Sequence, residues 1–274
     1  MKIGIFAKTF NKPGALPVLQ AVRDAGYETT QFNMACVGLP SLPGEISPNV
    51  EHQVQHASKI TGVSIAAVSA TYNMIHPNPQ VRANGLRQLG VIARSARNMG
   101  ISLVTLCTGT RDPTDQWRYH PDNTSPSAWR DLLAEMQKAI VIAEHLDIDL
   151  GIEPELTNVV SSARHARQLI DELQSPRLKV ILDPANLFET ADEAKRHALI
   201  ANAIDLLADH IAVAHAKDRD AGGHVVAAGK GVIDFPHFIS CLAAAGFKGP
   251  VVAHGLSEIE APGVAAFLKS LTLP

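Results

Sequence analysis

A chain of 274 residues, 46% of them hydrophobic, has the length of one (β/α)₈ barrel and enough apolar material for a large core. Its formal charge of −3, from 24 Lys and Arg against 27 Asp and Glu, leaves no basic surplus for a phosphate backbone, so nucleic acid is not the expected partner. Cys36, Cys107 and Cys241 are widely spaced and read as apolar fillers with reduced thiols; with no signal peptide and no bilayer-spanning apolar run, a cytoplasmic protein without a membrane partner is expected.

Ile3 to Ala7 predicts a first strand, Pro17 to Ala25 its helix, and Gly26 the left-handed stop before a second strand near Tyr27 to Asn33. Ser47-Pro48 caps a helix running to about Ile60. A third strand at Val63 to Ala70 leads through the loop Thr71 to Pro79, which holds His76, into a long helix at Val81 to Met99 and a fourth strand at Ile101 to Cys107. Thr108 to Ser125 is the longest stretch without periodicity. Loops of that length in compact domains are usually functional or disordered, and the aromatic and charged content here predicts an ordered cover over a barrel mouth. Trp117 and Arg118 in it, and His76 before it, become candidate substrate contacts. Ser125-Pro126 opens a helix whose apolar positions, Leu132, Met136, Ile140 and Ala143 among them, follow the helical period and so face the core.

The remainder alternates regularly. Strand five ends at Glu153, with a helix at Val159 to Leu173; strand six is Leu178 to Asp183, with a helix at Ala191 to Leu207; strand seven is His210 to Ala216. A Gly-rich loop, Gly222 to Gly231, precedes a helix from about Phe235 to Ala245, then strand eight at Gly249 to His254 and a last helix at Pro262 to Leu271. Eight strand-helix alternations predict a single-domain (β/α)₈ TIM barrel over residues 1–274.

Four apolar runs end on a residue able to bind a metal: Glu153, Asp183, His215 and His254. In parallel βα units the strand C-termini meet at one face, so two carboxylates and two imidazoles are expected to converge there. A carboxylate at the end of an apolar strand is costly unless paired, hydrogen-bonded or metal-bound, and one divalent ion satisfies all four ends at once.

The order and spacing of Gly151-Ile152-Glu153-Pro154, Ile181-Leu182-Asp183-Pro184-Ala185-Asn186, His215-Ala216-Lys217-Asp218 and Gly229-Lys230-Gly231-Val232-Ile233-Asp234 resemble the xylose isomerase-like barrels, a family of sugar and sugar-phosphate isomerases and epimerases with related apurinic-site endonucleases. The resemblance spans nearly the whole chain. It implies metal ligands at Glu153, Asp183, His215 and His254, a supporting residue at Asn186, and a small sugar-type substrate. In the epimerases of this family the eighth-strand ligand is a glutamate that also moves a proton, whereas this chain has His254. A metal-bound imidazole has used the lone pair with which it would accept a proton. Glu153 is then the expected base, and Glu155, Lys217, Asp218 or Glu258 supplies its partner, Lys217 and Asp218 being the catalytic candidates and Glu258 the one read as surface charge.

The function expected is a metal-dependent isomerase or epimerase that removes a proton beside a metal-polarised carbonyl, by way of an enediolate. The alternatives are a phosphodiester hydrolase resembling the apurinic-site endonucleases, which needs several metals and a basic surface, and a sugar-binding barrel without catalysis. Two imidazoles favour zinc, manganese, iron or cobalt over magnesium. The sequence leaves homo-oligomerisation open.

Overall fold

Capping side chains set where the helices begin. The structure, a computed structural model, describes residues 1–272. Ser47 accepts from Val50 N at the start of α2 (Pro48–Thr61), Asn78 from Gln80 N at α3 (Pro79–Asn98), and Ser125 from Ala128 N at α4 (Pro126–Leu146). Each of these helices has proline in its first turn, where no N–H is needed. α1 (Ala15–Asp24) starts instead from Gly14, without a side-chain cap. α5 (Ala163–Leu173), capped by Ser162, begins four residues later than the sequence predicts. The reason is local: Val159 N donates to Gly109 O (3.0 Å) and Val160 N to Thr108 Oγ1 (3.1 Å), which pins that segment beneath the 108–125 loop. α6 (Glu193–Leu207) and α7 (Phe235–Ala244) start from Asp192 and Asp234, and α8 (Ala261–Thr272) closes the described chain.

Eight parallel strands form the wall: β1 (Ile3–Phe6), β2 (Thr29–Phe32), β3 (Ser64–Ser69), β4 (Leu103–Cys107), β5 (Asp149–Glu153), β6 (Leu178–Leu182), β7 (Ile211–Arg219) and β9 (Val251–Ala253). Each pairs with the next, and β9 pairs with both β7 and β1, so the sheet closes into a (β/α)₈ barrel. The strand expected eighth is thus β9. The Gly-rich segment holds one more strand, β8 (Val225–Ala227), antiparallel to the end of β7, because β7 runs three residues past Ala216 instead of stopping there. No helix of the described residues is long and apolar enough to cross a membrane.

Strand alternation sorts the barrel interior into layers. Ala67, Leu103, Ile181, Val213 and Val252 form a separate apolar cluster inside the wall. Gly151 belongs to the same level, where a Cβ would lie 2.7 Å from Ile181 Cδ1. Two residues further along each strand the inward positions change character, to Gln31, Ser69, Thr105, Glu153, Asp183, His215 and His254. An apolar plug therefore underlies a polar layer at the C-terminal mouth.

Candidate metal centre

Asp183, His215 and His254 each present a ligand atom, and these atoms all lie within 4.8 Å of one another. Asp183 ends β6, His215 sits inside β7, and His254 follows β9, so three neighbouring strands supply them. Glu153 joins from β5: its Oε1 is 3.3 Å from His215 Nδ1, and Asp183 Oδ2 is 3.8 Å from the same nitrogen. The imidazole planes of His215 and His254 stack with centroids 5.4 Å apart, and Phe6 from β1 packs on His254 at 5.1 Å.

The polar layer orients these side chains. Gln31 Nε2 donates to Ser69 Oγ (3.2 Å) and Thr105 Oγ1 (3.3 Å), which leaves its Oε1 to accept from His215 Nε2 at 2.9 Å. That assignment puts one proton on Nε2 and turns Nδ1 to the carboxylates. Burial disfavours the imidazolium, but Glu153 and Asp183 raise its proton affinity, so without an ion Nδ1 is protonated as well. A cation at the centre would take that proton's place while the Gln31 bond fixes the ring. Asn186 Nδ2 donates to Glu153 Oε1 (2.9 Å), while Lys217 Nζ donates to Asn186 Oδ1 (3.1 Å) and lies 2.8 Å from Asp183 Oδ2.

The charges follow from burial and neighbours. Burial, then the positive charges of His215 and Lys217, push His254 down to about 3, so it is a neutral imidazole. Burial opposes ionisation of Glu153, but His215 and Lys217 outweigh it and hold that carboxyl near 2. Burial and the Glu153 charge push Glu155 up to about 8. Burial also disfavours the Lys217 ammonium, yet Asp183 and Glu153 raise it above its usual value and it remains a cation.

A divalent ion fits this donor set. His254 Nδ1 is buried with no hydrogen-bond partner, and Asp183 Oδ2 has ion pairs with Lys217 and His215 but no well-directed hydrogen bond. Unpartnered buried acceptors of this kind are costly unless a cation serves them, and mixed carboxylate and imidazole donors suit such an ion.

The structure brings together Glu153, Asp183, His215, His254, Lys217 and Asn186. It does not bring Asp218 to them. Asp218 has the opposite strand parity to His215 and Lys217 and turns outward, where its carboxylate accepts from the backbone N–H groups of Arg219, Gly229, Gly231 and Ile233. It clasps the Gly-rich loop, and its expected catalytic part is corrected to a structural one. Glu258 is tied to Lys12 at 2.7 Å on the surface. His76 and Trp117 line a different groove, with Tyr72, Asn84 and Gln88, and Arg118 pairs with Asp112 at 2.6 Å. Among the described residues none of these three bonds to the cluster. The 108–125 loop is ordered, held by Asn73 and Asn123 through Thr110 and Arg111. Sequence reasoning missed Gln31. Its signal was the strand Thr29-Thr30-Gln31-Phe32, wholly buried yet three-quarters polar.

A family model described as xylose isomerase-like TIM barrel matches residues 19–270. Among solved structures, the 3-keto-D-glucoside 4-epimerase of E. coli is 18% identical with a TM-score of 0.78, over 98% of this chain and 99% of that one. D-Psicose 3-epimerase of Clostridium cellulolyticum H10, solved with D-tagatose, is 15% identical with a TM-score of 0.76, over 99% of both chains. An L-ribulose 3-epimerase is 18% identical with a TM-score of 0.75, over 98% and 94%. At these identities the likeness is one of fold. No curated protein matches the chain.

Proposed function

We propose, on the premise that the chain belongs to the xylose isomerase-like TIM barrel family, that it is a divalent-metal-dependent isomerase or epimerase of a small sugar, sugar phosphate or related polyol. The observation that carries this reading is the convergence of Asp183, His215 and His254 beside Glu153 at one barrel mouth. The ion they would hold supplies Lewis acidity toward a carbonyl and hydroxyl of the substrate. The sugar epimerases among the structural neighbours support the substrate class.

Glu153 is the base. Its Oε1 is occupied by Asn186 and faces His215, whereas the side chain keeps 17% of its surface exposed, leaving Oε2 to take a proton from the carbon beside the carbonyl. Glu155, two residues along on the same face, is the partner that returns a proton. Lys217 is a positioning cation: held by Asp183 and Asn186, it keeps both aimed at the centre and lends positive charge where a substrate oxygen becomes negative. His254 binds rather than moves protons. Two imidazoles make zinc, manganese, iron or cobalt the expected occupants in preference to magnesium. Among the described residues a single cluster could hold a metal, which weighs against a hydrolase that needs several. We read residues 1–274 as one catalytic domain.

A panel of aldoses, ketoses and their phosphates, incubated with the metal-loaded protein in deuterated water, tests the reading. Deuterium should enter at a carbon beside the carbonyl of at least one sugar, and Glu153→Gln should abolish it. No incorporation in any of them would refute proton abstraction.

A further inference from the structure

Beside His254 the mouth opens into a cavity of about 600 Å³, walled by Phe6, Lys8, Val225, Val226, Leu256 and Glu260 among others. That volume lies in the range of small-ligand sites. Most of the wall is apolar, and its charged groups are unequally committed. Glu260 accepts from Ser257 N (2.9 Å) and Ser257 Oγ (2.7 Å), and Glu258, in the same segment, pairs with Lys12. Lys8 has no ion pair or side-chain hydrogen bond among the described residues. Lys12, four residues along, has taken Glu258, and Glu260 spends its hydrogen bonds on Ser257, so Lys8 is the cation of the wall without an ion pair. Its charge is close enough to help lower the proton affinity of His254. A neutral polyol could accept its hydrogen bonds but would leave its charge unmatched.

We propose that this cavity receives the end of the substrate remote from the reacting carbon, and that this end is an anion, a phosphate or a carboxylate, held by Lys8. The proposal rests on the sugar isomerase or epimerase reading and narrows its substrate class to acidic sugars. An ammonium meeting an anionic oxygen in this open cavity makes a charge-assisted hydrogen bond, roughly twice as strong as a neutral one. Lysine acts there as a point charge on a flexible stem, able to follow either anion.

Calorimetric titration of the full-length, metal-loaded protein with two matched pairs tests this: D-ribulose 5-phosphate against D-ribulose, and D-glucuronate against D-glucose. At least one anion should bind about tenfold or more tightly than its neutral partner, with the preference shrinking as salt is raised. Which pair shows it distinguishes phosphate from carboxylate. In Lys8→Ala the ratio should collapse to within about twofold of unity, and Lys8→Arg should restore most of it. No preference in the wild type, or a preference that survives Lys8→Ala because the anion meets the metal alone, would overturn the proposal. Binding is read without turnover, so a Lys8-dependent preference with no deuterium exchange would reject the isomerase reading and leave this site standing. Exchange in neutral sugars without Lys8 dependence would do the reverse.

Discussion

Gln31 makes no contact with the would-be ion, yet its removal should loosen the centre. Its Oε1 is the acceptor that keeps the proton on His215 Nε2 and so keeps Nδ1 aimed at Glu153 and Asp183. Both side chains are buried, at 6% and 2% exposure, so water cannot replace the lost acceptor in Gln31→Leu. An unpaired buried N–H costs about 1–3 kcal/mol. The metal-free protein can relieve that cost by turning the ring or shifting the proton toward Glu153, while a metal-bound imidazole cannot, so most of the cost falls on the bound state. The affinity should drop about 10–100-fold, the range typical of lost outer hydrogen bonds to ligating histidines. Gln31→Glu, which keeps an acceptor and adds charge, should hold or tighten binding. Competition against a chelator of known affinity, with zinc and with manganese, measures the change, and thermal melting of the metal-free variants controls for folding. Affinity within about twofold of wild type in Gln31→Leu would show that Gln31 does not orient His215.

Other expectations follow from the same geometry. His254→Ala should weaken metal retention by orders of magnitude, as elemental analysis after dialysis would show, because one of the three clustered ligands is lost; equal retention would remove His254 from the set. Gly231→Ala should lower stability by about 1–3 kcal/mol, since a Cβ there would collide with Arg219 O and the Asp218 carboxylate, whereas Gly263→Ala, with open space around it in α8, should be neutral or slightly stabilising in the same melting experiment. Asp112 is held well below the usual carboxylate range, chiefly by Arg118. A depressed carboxyl contributes its stabilisation above its unfolded value, near 3.9, and loses it as the pH falls below that. In a Trp129→Phe background the emission of Trp117 should therefore hold steady on acidification through that range, because the folded carboxyl stays ionised there, and change only at lower pH, whereas Asp112→Asn should show the acid-type emission already at neutral pH.

Much of this molecule was legible because strand ends in a parallel barrel have a common destination. The runs before Glu153, Asp183, His215 and His254 are apolar by necessity, being buried on both faces, so the first polar residue after each stands out. Asp218 was misread because adjacency in sequence hides parity: one residue after Lys217 lies on the other side of the wall. β8 was invisible because three residues, Val225 to Ala227, carry too little pattern to separate strand from loop, and their pairing depends on how far β7 continues. The groove that holds Trp117 and His76 depends on Asn73 and Asn123 drawing the 108–125 loop against its neighbours, a long-range arrangement that composition does not encode. Gln31 lay in a strand whose polarity argued against burial until the ring of polar inward positions was seen whole.

β7 carries two kinds of element on one continuous backbone. Its first part holds His215; its last three residues, Lys217 to Arg219, pair with β8 in a hairpin whose valines line the cavity beside His254. Within that hairpin the Asp218 carboxylate clasps the Gly-rich loop through the backbone N–H groups of Gly229, Gly231 and Ile233. The hairpin is in this sense an exchangeable jaw on a fixed vice: on the proposed reading, Val225 and Val226 are the positions where substrate preference would change while Asp183, His215 and His254 keep their strands.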